Sequence, residues 1–309
     1  MSRPGPRDLA LAVLGPVIGR AGSAYLAGRS RADAVRVARQ LLAAGHEVTI
    51  GYWNEPTDAV PVVAAESLAC IADLAGAGGR AQVALKAPAL GFDEAAVQEI
   101  ARAAAAAQVG LLFDAHAPDQ ATGTLALALA AHRLGARSGI AVATRWRRSA
   151  ADAQTAAAAG LSTRLVKGQW ADDEPGGIPG LAGDRQLRAA FLDLLAAIPA
   201  GSPPVAIATH DAALFAAAVG AARAVGREVQ LELLLGLPAR RVLAVARRER
   251  VPVRCYVPYG HPSLSYSLSS TLRRPRLAAN LAQGVALGAA NRALRLREAL
   301  DAAPGAPGR

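Results

Sequence analysis

Residues 162–168 read STRLVKG, a strand-length run that closes on a glycine, and what lies on either side of it decides the fold. Upstream stands GIAVAT (139–144) and downstream PPVAIAT (203–209), each set apart from it by an Ala-rich stretch dotted with Arg and Asp. Further out lie HEVTIGYW (46–53), AQVALKA (81–87), QVGLLFDA (108–115), REVQLELLL (227–235) and VPVRCYV (251–257). Strand-like runs alternating with helical stretches call for a parallel sheet covered by helices. Eight of them favour a closed sheet over an open one. The sequence therefore predicts an α/β protein: a distorted (β/α)8 TIM-type barrel forming a single domain over 1–309.

The helical stretches carry ordinary boundary signals. Ser30 and Asp33 open one and Gly45 ends it, and Pro56 to Asp58 is expected to open another. Residues 172–183 are Gly- and Pro-rich and acidic at their start, which predicts a mobile loop on the face where strands end. The short apolar run LALAVLGPVIG near the N-terminus falls below the length of a bilayer span. It is expected to be a helical segment packed on the barrel, in a cytoplasmic protein without an integral membrane segment. The tail from about 303 to 309 is expected to be disordered.

Of 34 basic residues only two, Lys86 and Lys167, are lysine. A chain that uses arginine almost everywhere else has kept lysine where a compact ammonium or a shiftable pKa is useful. The net charge of +10 is spread over many predicted helices without interleaved aromatics, so nucleic acid is not an expected partner. Cys70 and Cys255 are too few for a disulfide framework, and no Cys/His spacing suggests a metal site. Neither a Walker A sequence nor GxGxxG follows the first strand.

Barrel enzymes assemble their sites at the C-terminal ends of the strands. Those ends here are Tyr52, Trp53 and Glu55; Lys86; Asp114 and His116; Thr144 and Arg145; Lys167; Thr209, His210 and Asp211; Glu232; and Tyr256. Both lysines are among them. Arg164 and Lys167 on one strand, with Thr209 and His210 on the next and Gly168 permitting close backbone approach, suit an anionic cofactor with a pyrophosphate. A rim network of the two cations with Asp172, Asp173 or Glu174 is the plainer alternative.

The ordered set ALKAPALGF (84–92), LLFDA (111–115), RLVKGQW (164–170), AIATHD (206–211), ELLLGL (232–237), CYVPYG (255–260), Tyr266 and RRPRLAAN (273–280) resembles the proline dehydrogenase family from about Tyr25 to Asn280. The resemblance implies FAD lying across the strand ends. Arg164, Val166, Lys167, Gly168, Trp170, Thr209, His210 and Glu232 would hold the cofactor. Lys86, Asp114 and Tyr256 would serve the chemistry, and Leu234 would line the pocket. In such a site the flavin takes a hydride from a carbon next to nitrogen, and the protein supplies position and electrostatics.

The chain departs from the family where proline is gripped. The family's last helix carries an arginine pair between its Tyr and Pro, whereas this chain reads Tyr266, Ser269, Ser270, Arg273, Arg274 and Pro275 at unchanged separation. Sliding Arg273 and Arg274 into the vacant places displaces them by roughly 6 Å of helix. Ala143 and Arg145 replace an expected glutamine and tyrosine, Glu232 a glutamine, and Trp170 a tyrosine. Losing a buried bidentate carboxylate contact costs on the order of 2–5 kcal/mol. The expected substrate is therefore a small amine, imine or hydrazine-type compound oxidised at a C–N or N–N bond in specialised metabolism. It would be held by Tyr266, Ser269, Ser270 and Leu234, with Arg145 as a relocated anion contact. Alternatives are an authentic proline dehydrogenase with a rebuilt carboxylate site and a non-catalytic flavin-binding or regulatory barrel. The electron acceptor, whether quinone, oxygen or a redox partner, is not legible.

Overall fold

Eight parallel strands close in chain order into one barrel, as the count of runs requires. The computed structural model describes residues 25–168, 172, 177–178, 184–261 and 295–301. The expected N-terminal segment, most of the 172–183 loop, Trp170, the final helix with Tyr266, Ser269 and Ser270, and the tail lie outside the described residues. Helix α1 (Arg31–Ala43) precedes β1 (Glu47–Trp53). There follow α2 (Val60–Leu74), β2 (Ala81–Lys86), α3 (Glu94–Ala107), β3 (Gly110–Asp114), α4 (Ala121–Arg133), β4 (Ser138–Ala143), α5 (Ser149–Ala158) and β5 (Ser162–Val166). The chain continues through α6 (Asp184–Ala197), β6 (Val205–Ala208), α7 (Ala212–Ala224), β7 (Val229–Leu234), α8 (Arg240–Arg248) and β8 (Val253–Gly260).

Local chemistry explains the boundaries. Ser30 caps α1 by accepting from the Asp33 amide at 3.2 Å, and Asp33 accepts in return from the Ser30 amide at 3.4 Å. Asp93 caps α3 through the amides of Ala95 and Ala96 at 2.9 and 3.1 Å. The helix expected to open at Pro56–Asp58 begins instead at Val60. Asp58 closes a turn, accepting from the Glu55 amide at 2.9 Å and the Tyr52 hydroxyl at 2.7 Å. Closure pairs β8 with β1, with Val48 opposite Cys255 and Tyr52 opposite Tyr259.

Strand alternation divides the barrel into two environments. Ile50, Leu85, Phe113, Leu165, Ile207 and Leu231 face the helices and are buried, each worth about 1.5–3 kcal/mol of burial. Residues on the other phase, Arg164 among them, face the axis. At the opposite end from the mouth, arginines satisfy carbonyls that helices and turns leave open. Arg80 donates to Leu42, Arg137 to Gln108 and Gly79, and Arg227 to Leu195 and Ile198. Part of the arginine surplus is used in this way.

Candidate functional site

The axis-facing phase of four strands brings Arg164, Asp114, Glu232 and Tyr256 together beneath the strand ends. Arg164, at the middle of β5, pairs with Asp114 through Nη2 and with Glu232 Oε1 through Nη1 at 3.2 Å. Its guanidinium carbon also lies 5.6 Å from the centre of the Tyr256 ring, within cation–π range. Burial works against charge on Arg164, but Asp114 and Glu232 outweigh it and hold its pKa above the usual value. The guanidinium is thus a fixed cation.

Lys86 ends β2 beside this cluster. Its ammonium stands 5.9 Å from the Trp53 ring centre and 3.4 Å from Asn54 Oδ1. Desolvation pushes its pKa down to about 8, against the pull of Asp114, whose carboxylate is engaged by Arg164. A lysine poised there exchanges a proton near neutral pH. His116 is also pushed down, chiefly by burial. Trp53 donates from Nε1 to the Tyr256 hydroxyl at 3.2 Å, and Leu234 and Leu237 pack on an apolar wall with Trp53, Tyr25 and Leu26. Gly51 makes room for that wall, since a Cβ there would lie 2.1 Å from the Tyr256 hydroxyl.

A second group sits where β5 and β6 end. Lys167 reaches Asp211 Oδ2 at 3.1 Å, and Arg188 of α6 reaches the same oxygen at 2.8 Å. Asp211 is held below the usual carboxylate range: burial works against that, and the Leu214 amide and Lys167 overcome it. His210 binds main chain at both ring nitrogens, Nδ1 to the Pro238 carbonyl at 3.0 Å and Nε2 to the Leu234 amide at 3.1 Å. Burial pushes its pKa down to about 4, so at neutral pH the ring is uncharged, with Nδ1–H donating and Nε2 accepting. Thr209 accepts from the Asp211 amide at 3.1 Å.

Between the groups, Gly168 has φ +85°, and a Cβ there would approach the Ala143 side chain at 3.0 Å. The Val166 carbonyl accepts from the Thr144 amide and hydroxyl, both at 2.9 Å. Arg145 is buried and donates from Nε to the Gly168 carbonyl at 3.1 Å, and its own carbonyl accepts from the Ile178 amide at 2.8 Å. What Arg145 does for the site it does in part by shaping the exit of β5. The expected cations therefore meet Asp114, Glu232 and Asp211, while Asp172 accepts from the Arg147 amide at 2.9 Å.

Sequence reasoning placed Trp53 and Asp211 among the strand ends without giving them a role, and passed over Asn54 and Thr49. Trp53 stood at a strand end and was legible there. Thr49 and Asn54 gain their place only through partners 183 and 32 residues away. Among the described residues no group of three His, Cys, Asp or Glu is placed to hold a metal, and no helix is long and apolar enough to cross a membrane.

The fold and site together define a parallel eight-stranded barrel with a charged, aromatic-walled mouth. No known sequence family matches the chain, and neither does any curated protein sequence. Solved structures of proline utilization A do share its fold. That of Bdellovibrio bacteriovorus inactivated by N-propargylglycine aligns with TM-score 0.64 and 18% identity over 97% of this chain and 37% of that one. That of Corynebacterium freiburgense gives 0.61 and 20% over 100% and 37%, and a Bradyrhizobium japonicum variant gives 0.58 and 20% over 85% and 33%. This chain thus spans about a third of the length of those proteins.

Proposed function

We propose that the chain is an FAD-dependent oxidoreductase of the proline dehydrogenase type. Its substrate would be a small amine, imine or hydrazine-type compound other than proline, oxidised at a C–N or N–N bond. One observation carries this: two part-buried cations, Lys86 and Arg164, stand at the mouth of a barrel whose fold is that of proline utilization A. The residues present fit a flavin. Arg164 Nε is buried without a described partner, and Gly168 offers backbone that a side chain would obstruct. Arg164, Val166, Lys167, Gly168, Trp170, Thr209, His210 and Glu232 would hold the cofactor, His210 as a neutral ring that fixes the Leu234 amide. Bound FAD supplies the hydride acceptor.

The chain's own residues supply the remainder. Trp53, Tyr256 and Leu234 exclude water from one side of the mouth. Lys86 Nζ, desolvated and titrating near about 8, holds or takes up a proton beside the substrate. Asp114 fixes Arg164 in place. Ser269 and Ser270, which stand in the sequence where the family has its arginine pair, would give the pocket a neutral end that suits an uncharged or cationic ligand, and Tyr266 would contact the same ligand. Anaerobic titration of the FAD-loaded protein with proline and with a panel of small amines, imines and hydrazines tests the proposal. Bleaching by members of the panel and not by proline is expected. Bleaching by proline alone restores the family's own substrate, and bleaching by nothing removes the oxidoreductase reading.

A further inference from the structure

Barrels of this kind ordinarily fill their axis with layers of branched apolar side chains. Here one side of the axis beneath the mouth carries polar side chains down to the opposite face. Arg254 of β8 donates to Gln230 Oε1 and to the Val48 carbonyl, both at 2.9 Å, and pairs with Glu47. With its carbonyl oxygen turned toward Arg254, the Gln82 amide accepts from the same guanidinium at 3.0 and 3.1 Å. Thr49, fully buried, stands 3.3 Å from Glu232 Oε1, the oxygen that also receives Arg164. A cavity of about 800 Å³ at the N-terminal ends of the strands runs along this column, lined by Glu47, Gln82, Gln230 and Arg254 and reaching Glu232 and Arg164.

Stability does not call for such a column, because buried ion pairs can often be replaced by apolar packing at little loss. Orientation does. Arg164 is gripped by two carboxylates, and it points reproducibly only if those carboxylates are fixed themselves. Glu232 Oε2 has no described partner, so the carboxylate plane is set by what meets Oε1, namely Arg164 and the Thr49 hydroxyl.

We propose that Thr49 is a positioning residue that acts through Glu232 to aim the Arg164 guanidinium at the bound flavin, a role that rests on the flavin reading above. A cation held against the cofactor favours its reduced, more negative form. The test is the two-electron midpoint potential of the FAD-loaded protein in Thr49→Val and Thr49→Ser. Thr49→Val should weaken binding of reduced relative to oxidised flavin about tenfold, lowering the potential by ~30 mV. Thr49→Ser should keep the potential while melting earlier, since it loses a buried methyl group and keeps the hydroxyl. A potential unmoved in Thr49→Val, or lowered as much in Thr49→Ser, overturns the positioning role. Wild-type protein that takes up no FAD overturns the flavin reading and this role with it. Wild-type protein that binds FAD while the variants show no shift overturns this role alone.

Discussion

Replacing Lys86 with methionine should make the protein more stable and less able to reduce its flavin. Lys86 titrates near about 8 in the folded chain, against the model-compound value of 10.5, because burial strips its ammonium of water. The folded state therefore binds fewer protons than the unfolded state between those two values, and stability rises with pH across that window. Below about 8 the penalty is complete. At 1.36 kcal/mol per unit it comes to about 3 kcal/mol. Lys86→Met keeps the length of the side chain and removes that penalty, so its unfolding midpoint at neutral pH should rise by several degrees. Melting curves for both proteins, run from about pH 7 to about pH 11, should converge as the wild-type lysine neutralises. The same variant should bleach its flavin far more slowly with substrate. A Lys86→Met protein that melts lower than wild type, or by a difference that does not change with pH, would refute the desolvated-ammonium account of this site.

Three further outcomes follow from particular contacts. His210 is uncharged in the fold and titrates near about 4, below its ordinary 6.5, so stability should fall as pH drops from about 6.5 to about 4 and then level off. His210→Phe should flatten that acid limb in urea titrations, while costing about 1–3 kcal/mol for each main-chain group left unpaired. Gly51→Ala would place a methyl group against the Tyr256 hydroxyl, and near-ultraviolet circular dichroism should report the displaced Trp53–Tyr256 pair. Ser30→Ala removes the cap of α1 and should cost about 1 kcal/mol by urea unfolding, with flavin content unchanged.

All eight strands were legible because outward-facing Ile50, Phe113, Leu165 and Ile207 repeat in short β-branched or apolar runs, which local sequence records directly. Their ends shift where long-range pairing decides. β8 runs on to Gly260, past the expected Val257, because β1 remains alongside it as far as Trp53. The helix expected from Pro56 starts late because Asp58 spends its carboxylate on a turn. At the site, strand-end position alone singled out Lys86, Asp114, Glu232 and Tyr256 before any contact was known. It could not show that Asp211 is the carboxylate to which Lys167 binds, or that both nitrogens of His210 are committed to main chain. Those facts depend on which strands become neighbours across the closed barrel. The polar column through Thr49 and Gln82 was equally hidden, since each residue reads locally as an ordinary polar member of a strand.

The most direct measurement is the visible spectrum of the purified chain, before and after addition of FAD and removal of the excess. A flavin spectrum that survives gel filtration at one equivalent per chain, and is lost in Arg164→Met, is the expected result. A colourless protein that retains no flavin would contradict the assignment of Arg164, Lys167 and Gly168 to an anionic cofactor.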